Sequence, residues 1–448
     1  MLYDDTEFSY YTQAEQQAHK ALEHYESGRM TQALSALDSA LELNPANGCW
    51  HFNKGLTLDS VNRFEEAISE YELALQSYPN DLEILNALAV DYTRTGRYDR
   101  AIELFEYIEQ LDPQFEPCYC NRIITYTEME LHDQAEQMFY LAQQIDPDCP
   151  LCYYNIGNSL FIRGRYEEAV RCWLKTAELE PAHPQINYRI AQAYWSQGRM
   201  SLARRHFLAE LRNNPGDVDV IMDFGLLLLE SGEVESAKEK FNRVLEFEPD
   251  FAPALFYLGE IARDRAHREE ATELFHKALE YDDTLAGARY RLAEFAMAAG
   301  EKAAARKHLL AELRFVRENA DVLVSMGSMF LQLGEPRYAT RCLLKAVELD
   351  GAKAEAYYYL AVASAMNERF DDAAEFFGHA LDIAPRYVDA LRDSAVVALR
   401  LGRVAQARQR INAAISLDSN NPQLRAIRRR ITLARLVERL TGLFALTP

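Results

Sequence analysis

The fold is decided by a stretch from Pro150 to His183, which reads PLCYYNIGNSLFIRGRYEEAVRCWLKTAELEPAH. Apolar residues recur at helical spacing between positions 151 and 162 and again between 166 and 179, so two helices are predicted there. Gly164 separates them, because glycine tolerates the left-handed backbone that ends a helix. Pro181 stops the second helix, since proline has no N–H to donate. The stretch therefore predicts a helical hairpin.

The same pattern recurs with a period of 34 residues and without insertion or deletion. One column is alanine in all twelve units, at positions 33, 67, 101, 135, 169, 203, 237, 271, 305, 339, 373 and 407. A small residue there lets the two helices of a hairpin cross closely. A second column is mostly proline, replaced by Asp283, Arg317, Gly351 and Ser419 in four units. One hairpin cannot bury its apolar face alone, so the hairpins must stack.

This pattern of a small residue, Tyr, Ala, Phe and Pro at 34-residue spacing resembles the tetratricopeptide repeat family from Ala14 to Asn421. The resemblance implies an all-α, right-handed superhelical solenoid of antiparallel helix pairs, whose concave face is lined by the first helix of each pair. We expect a polar N-terminal lead over residues 1–13, twelve repeats over 14–421, and a basic amphipathic capping helix and tail over 422–448.

Charge is distributed unevenly along the chain. The formal net charge is −21, yet residues 386–448 carry twelve Arg and four acidic residues, so this tail is +8 and the remainder −29. An acidic body disfavours nucleic acid as a partner. The tail helix could instead make a peripheral membrane contact or bind an acidic protein. Seven cysteines, no apolar run long enough to span a bilayer and no basic–apolar leader favour a soluble, cytoplasmic protein.

No recognisable reaction site is present in the sequence. It has no phosphate-binding loop, zinc-protease helix or nucleophile elbow. We therefore expect a protein-binding scaffold or adaptor rather than an enzyme, with no catalytic residue and no cofactor. The alternative is a non-catalytic subunit of a glycosyltransferase, envelope-biogenesis or secretion system.

Polar and aromatic residues on the first helices are the candidates for binding a partner. The family geometry places Asn53, Asn121, Asn155, Asn158, Arg189, Gln192 and Asp223 on one track, which Ala87 interrupts. Asparagine can donate to and accept from a peptide backbone, and this track resembles the asparagine ladder of O-linked N-acetylglucosamine transferases, whose catalytic domain is absent here. The predicted partner-binding set is Asn121, Tyr154, Asn155, Asn158, Tyr188, Arg189, Gln192 and Trp195. Alternatively, the polar lining only hydrates the groove and Trp195 packs between repeats.

Four cysteines open two successive first helices: Cys118, Cys120, Cys149 and Cys152. Four thiolates could bind zinc, and a Cys-x-x-Cys pair could be redox-active. Equivalent positions of neighbouring helices, however, lie about 9–10 Å apart. That spacing favours separate buried thiols over a metal site.

A longer period is also present, since Ala203–Leu211 resembles Ala305–Leu313. The two segments lie three repeats apart, and duplication of a three-repeat block would explain their similarity.

Overall fold

The computed structural model describes residues 5–315 and 319–444, with side chains over 13–315 and 319–436. Within these ranges the chain is all-α and divides into two compact units, the first ending at Glu233 and the second beginning at Val234. The first unit contains α1 Asp5–Glu26, α2 Met30–Leu43, α3 Gly48–Asp59, α4 Phe64–Ser77, α5 Leu82–Arg94, α6 Tyr98–Leu111, α7 Glu116–Glu128, α8 His132–Ile145, α9 Pro150–Ile162, α10 Tyr166–Leu179, α11 Ile186–Ser196, α12 Met200–Asn213 and α13 Val218–Glu230.

The second unit continues the alternation of first and second helices. It contains α14 Val234–Phe247, α15 Ala252–Asp264, α16 Arg268–Tyr281, α17 Ala288–Ala298, α18 Lys302–Glu312, α19 Ala320–Gln332, α20 Pro336–Leu349, α21 Ala354–Met366, α22 Phe370–Ile383, α23 Val388–Arg400, α24 Val404–Leu417 and α25 Pro422–Phe444. The hairpin predicted from the fifth repeat is confirmed, because α9 and α10 match its expected bounds and pack against each other.

Each hairpin turn depends on one residue with a left-handed backbone. Gly164 has φ +73°, and the N–H of Arg165 donates to the carbonyl of Leu160 at 2.9 Å, which closes the end of α9. Four turns without glycine place another residue in this conformation: Asn62, Glu130, Ala266 and Glu368. The repeat geometry thus imposes left-handed φ even where the side chain disfavours it by about 1 kcal/mol.

In the interlock, as we call the contact between the two helices of a hairpin, a large side chain of the second helix packs against a small residue of the first helix. All twelve column alanines are fully buried. A methyl group added at Gly157 of α9 would lie 2.5 Å from Nε1 of Trp173 on α10, so Trp173 occupies the space that glycine leaves within its own repeat. In the fourth repeat the small position holds Ile123, and Phe139 is correspondingly only half-buried while Met138 is buried. The size of one first-helix residue therefore decides which second-helix residue enters the core.

Two first helices, α11 and α17, begin two residues later than the 34-residue register predicts. The residues before them, Gln185 and Gly287, have positive φ. In both repeats a buried glutamate stands in a column that is mostly alanine elsewhere. Glu312 accepts from the backbone N–H groups of Gly287 at 2.6 Å and Tyr290 at 3.2 Å, and Glu210 accepts from that of Tyr188 at 3.3 Å. A buried carboxylate must find donors, and the unwound helix start supplies them.

The similar segments Ala203–Leu211 and Ala305–Leu313 share this glutamate, since each contains the one that caps the shortened first helix of its own repeat. The residue in the proline column, in contrast, does not determine whether the following first helix starts late. α21 and α25 start in register although Gly351 and Ser419 replace proline, whereas α11 starts late although Pro181 is present. Arg317, the fourth replacement position, lies outside the described residues.

The two ends differ from the repeats between them. Helix α1 already begins at Asp5, so most of the expected polar lead is helical; residues 5–13 contain no glycine or proline that would prevent this. At the other end, α25 packs on α24 and α23 through Leu424 and Ile431, which are at most 1% exposed. The expected capping helix is therefore confirmed, and its arginines at 425 and 428–430 face outward. No described helix is long and apolar enough to cross a membrane.

Substituting Gly157 tests the interlock. Gly157→Ala should lower the free energy of unfolding by about 1–2 kcal/mol, because the clash with Trp173 outweighs the helix-propensity gain of about 1 kcal/mol. A urea titration monitored by tryptophan fluorescence measures this loss of stability. Fluorescence reports on the first unit, which contains Gly157, because Trp50, Trp173 and Trp195 all belong to that unit. Gly378→Ala is the matched control: nothing lies within 4 Å of its added methyl group, so circular dichroism should show a gain of about 0.5–1 kcal/mol. Loss of stability in both variants would contradict the interlock.

Removing a capping glutamate tests the second feature. Glu312→Ala leaves the backbone N–H groups of the partly buried Gly287 and the buried Tyr290 without an acceptor and should cost about 2–3 kcal/mol in thermal or urea unfolding. The exposed Glu348→Ala, which removes only a surface ion pair with Lys345, should change stability by less than about 0.5 kcal/mol. Equal effects of the two substitutions would show that the cap is not needed.

Because of Glu312, the stability of the fold should also depend on pH. Burial raises the pKa of Glu312 above its ordinary 4.5, so the folded chain holds this proton more tightly than the unfolded chain. Its stabilising contribution is complete below pH 4.5 and is lost as pH rises through the raised pKa. The stability of Glu312→Gln relative to the wild type should therefore increase as the pH rises from 4.5 through the raised pKa of Glu312 in paired urea titrations. A constant difference would exclude titration of this group.

Candidate protein-binding surface

The first helices of successive repeats contact one another directly: α3 meets α5, α5 meets α7, and α7 meets α9. Side-chain hydrogen bonds cross these contacts. The hydroxyls of Thr93 and Thr125 lie 2.7 Å apart, and the amide of Asn121 donates to Asn86 at 3.1 Å. Helices α3, α5, α7 and α9 therefore lie side by side, and polar side chains join these successive repeats.

Some of the candidate residues on α7 and α9 are bonded to neighbouring helices, and others keep accessible surface. Asn155 is buried, and its amide donates to the carbonyl oxygen of Cys120 at 3.1 Å and to its Sγ at 3.5 Å. Asn155 therefore joins α9 to α7. Tyr154 is half-buried with its ring 4.4 Å from that of His183, and Asn158 is half-buried. Tyr154 and Asn158 are the α9 candidates that retain accessible surface.

The candidates on α11 converge on acidic residues of α13. The hydroxyl of Tyr188 donates to Asp223 at 2.7 Å, and the amide of Gln192 donates to the same oxygen at 3.1 Å. Burial, together with the bond to Asp223, raises the pKa of Tyr188. The indole of Trp195 donates to Glu230 at 2.6 Å. Among the described residues, no hydrogen bond or ion pair joins the α11 candidates to those on α9, so they form two separate groups.

Arg189 differs from its neighbours because it has no ion-pair partner among the described side chains. Its Nη1 lies 3.4 Å from the amide oxygen of Gln192, at the long end of a hydrogen bond, and its Nε is buried without an acceptor. A half-buried guanidinium with unused donors can accommodate a carboxylate or carbonyl oxygen from another molecule.

Three exposed aliphatic residues on α7 and α9 were missed by sequence reasoning, which concentrated on polar and aromatic residues. They are Ile124, Leu151 and Ile162, with exposures of 38%, 53% and 62%. Ile162 directly precedes the hairpin turn. The apolar periodicity of the helix therefore does not predict clearly whether its side chain is buried or exposed. In contrast, Phe161 packs 5.7 Å from Trp173 between ring centroids and belongs to the core.

Three of the four cysteines singled out come together. Cys120, Cys149 and Cys152 form a cluster with Glu116, while Cys118 lies apart and donates to the carbonyl of Phe105. The expected separation of about 9–10 Å does not apply, because Cys149 caps the start of α9 whereas Cys120 lies one turn inside α7. Burial raises the pKa of Glu116 to about 7, and thiol hydrogen bonds from Cys120 and Cys152 lower that of Cys149.

The architecture and the side-chain interlock define a tandem helical-hairpin repeat protein. Two family models, both described as tetratricopeptide repeat, match the sequence. One matches residues 20–81, 53–114, 154–218, 222–280 and 325–388, and the other matches 364–431. The chain belongs to the tetratricopeptide repeat family.

Similarity to individual proteins is more limited. A human protein O-mannosyl-transferase, TMTC3, is 33% identical over 104 residues, which are 22% of this chain and 11% of that protein. The chain thus spans about a tenth of this relative's length. Cut9–Hcn1 of the APC/C matches 92% of this chain and 95% of its own at 12% identity and TM-score 0.41. Yeast Tom70 matches 97% and 99% at 14% identity and TM-score 0.38.

Proposed function

We propose that this tetratricopeptide repeat protein is a scaffold that binds an extended segment of a partner protein along the first helices α9 and α11. The observation that carries this proposal is the half-buried Arg189, whose donors lack a charged partner among the described residues. An unpaired buried donor is costly to the isolated chain. A ligand that supplies an acceptor removes that cost.

The surrounding residues suggest the chemistry of the partner segment. On α9, Leu151 and Ile162 expose apolar surface on either side of the half-buried Tyr154 and Asn158. The Asn158 amide can bond to a peptide backbone irrespective of its sequence. A segment with a large apolar side chain near α9 and an acidic side chain near Arg189 would satisfy both groups. Asn121 and Asn155 instead hold first helices together, since Asn121 bonds α7 to α5 and Asn155 bonds α9 to α7.

A second role, as a non-catalytic subunit of a glycosyl-transferring assembly, is favoured by the likeness to a protein O-mannosyl-transferase. The matching portion covers a small share of that relative. The two proposals are compatible, because the assembly would itself provide the partner segment. Peripheral membrane contact through the outward arginines of α25 is a separate proposal, which lipid flotation of the full chain would test.

Substitutions at the two patches test the binding proposal. Arg189→Ala and Ile162→Ala should each weaken partner binding at least about tenfold, as expected for central anchor residues. Neither should destabilise the fold by more than about 1 kcal/mol, because Arg189 loses only the long 3.4 Å bond to Gln192 and Ile162 is largely exposed. Proteins captured from the source cells on the wild-type chain identify the partner, and calorimetric titration of its purified segment measures the affinity.

Matched controls lie on α10, the second helix of the fifth repeat. Arg171 and Leu174 of α10 have comparable side chains and are exposed. Arg171→Ala and Leu174→Ala should leave the affinity unchanged. If the α10 variants weaken binding as much as the first-helix variants, or if all four bind like the wild type, the partner does not use this surface.

A further inference from the structure

The cluster at the starts of α7 and α9 has the composition and spacing of a metal site. One ligand atom from each of Glu116, Cys120, Cys149 and Cys152 lies within 4.8 Å of all the others. Sulfur ligands at about 2.3 Å from a tetrahedral zinc ion are themselves separated by about 3.8 Å. Small side-chain rotations would close the remaining difference. Four potential ligands at this spacing are what a structural zinc site requires.

The backbone brings these ligands together through ordinary repeat geometry. Glu116 is the first residue of α7 and Cys120 follows four residues later, so both lie on one face of the helix. Cys149 is the N-cap of α9 and Cys152 lies in its first turn. The contact between α7 and α9 then closes the cluster. The two helices that position the ligands are already formed without the metal. Metal binding therefore does not have to order much additional chain.

Neighbouring donors are arranged to stabilise negatively charged sulfur. The backbone N–H of Cys152 donates to Sγ of Cys149 at 3.4 Å, and the Asn155 amide donates to Sγ of Cys120 at 3.5 Å. Both helices also direct the positive ends of their dipoles towards the cluster. Such outer-shell donors orient and stabilise thiolate ligands. This arrangement gives the buried Asn155 a physical role that differs from peptide binding.

The ligand types narrow the choice of metal. Three thiolates favour zinc over magnesium or calcium, which prefer oxygen ligands throughout. The three sulfurs are buried, whereas Glu116 is only partly buried and leaves a path to the cluster. All seven cysteines are free thiols in the structure. A disulfide between two cluster cysteines would leave the third unused, but a zinc ion uses all three.

We propose that Glu116, Cys120, Cys149 and Cys152 bind one zinc ion with three thiolates and one carboxylate. The ion joins the fourth repeat to the fifth at the helix that carries Tyr154 and Asn158. It is a structural site, because all four coordination positions are filled by the protein. The proposal does not depend on the partner-binding role, since metal content can be measured in the isolated chain.

Metal analysis of the full chain tests the proposal. The wild type, purified without a metal-binding tag under reducing conditions, should contain about one zinc ion per chain by mass spectrometry. Cys120→Ser, Cys149→Ser and Cys152→Ser should each lower zinc affinity at least about tenfold in competition with a chromophoric chelator. Cys118→Ser is the matched control on the same helix: its hydroxyl can still donate to Phe105, and zinc binding should be unchanged.

Cobalt substitution provides a readout independent of variant folding. Cobalt(II) added to the wild type should give intense thiolate-to-metal absorption with tetrahedral ligand-field bands. Asn155→Ala keeps all four ligands and should still lower the affinity about tenfold. The proposal is overturned if the wild type retains no zinc through gel filtration, if its cobalt spectrum lacks thiolate bands, or if non-reducing peptide mapping finds a disulfide within the cluster in place of metal.

Discussion

The structure depends on the close crossing of the two helices of a hairpin, which recurs along each of the two compact units. A fully buried alanine on the second helix and, in every repeat but the fourth, a glycine or alanine on the first leave room for one large side chain, such as Trp173 over Gly157. This contact fixes the hairpin, but it leaves the outer apolar faces of both helices uncovered. Only the next hairpin can cover them, so stability in a solenoid comes from nearest neighbours rather than from a central core.

Most of the fold could be predicted because the interlock leaves a strict sequence period. Helix bounds in the fifth repeat, the glycine turns and the terminal cap all follow from residue type and spacing. The late starts of α11 and α17 could not be anticipated from the proline column. Their signal was nevertheless present: Glu210 and Glu312 occupy a column that is mostly alanine. A charged residue where the pattern demands a small apolar one predicts a local backbone rearrangement.

The candidate site was less predictable, because helical position determines which side a residue faces but not what it contacts. Tyr188, Gln192 and Trp195 were expected to face a partner, and the structure shows them bonded to Asp223 and Glu230 one repeat further on. These acidic partners stand about 35 residues away in sequence and could be recognised only after helices had been stacked. Conversely, Ile162 adjoins a turn, where periodicity alone gives no clear face.

The cysteine cluster also could not be predicted from the positions of its residues in the repeat. Spacing between equivalent repeat positions argued against a metal site, yet the ligands are not at equivalent positions: one caps a helix and another lies a turn inside its neighbour. Glu116 and Cys120 lie one turn apart on one face of α7, and the ligand atoms of both lie within 4.8 Å of those of Cys149 and Cys152 at the start of α9. Repeats that are identical in backbone can in this way bring together residues that no single repeat contains. The fourth and fifth repeats, where Asn155 contacts Cys120 and α9 carries Tyr154 and Asn158, combine this cluster with the surface proposed for the partner.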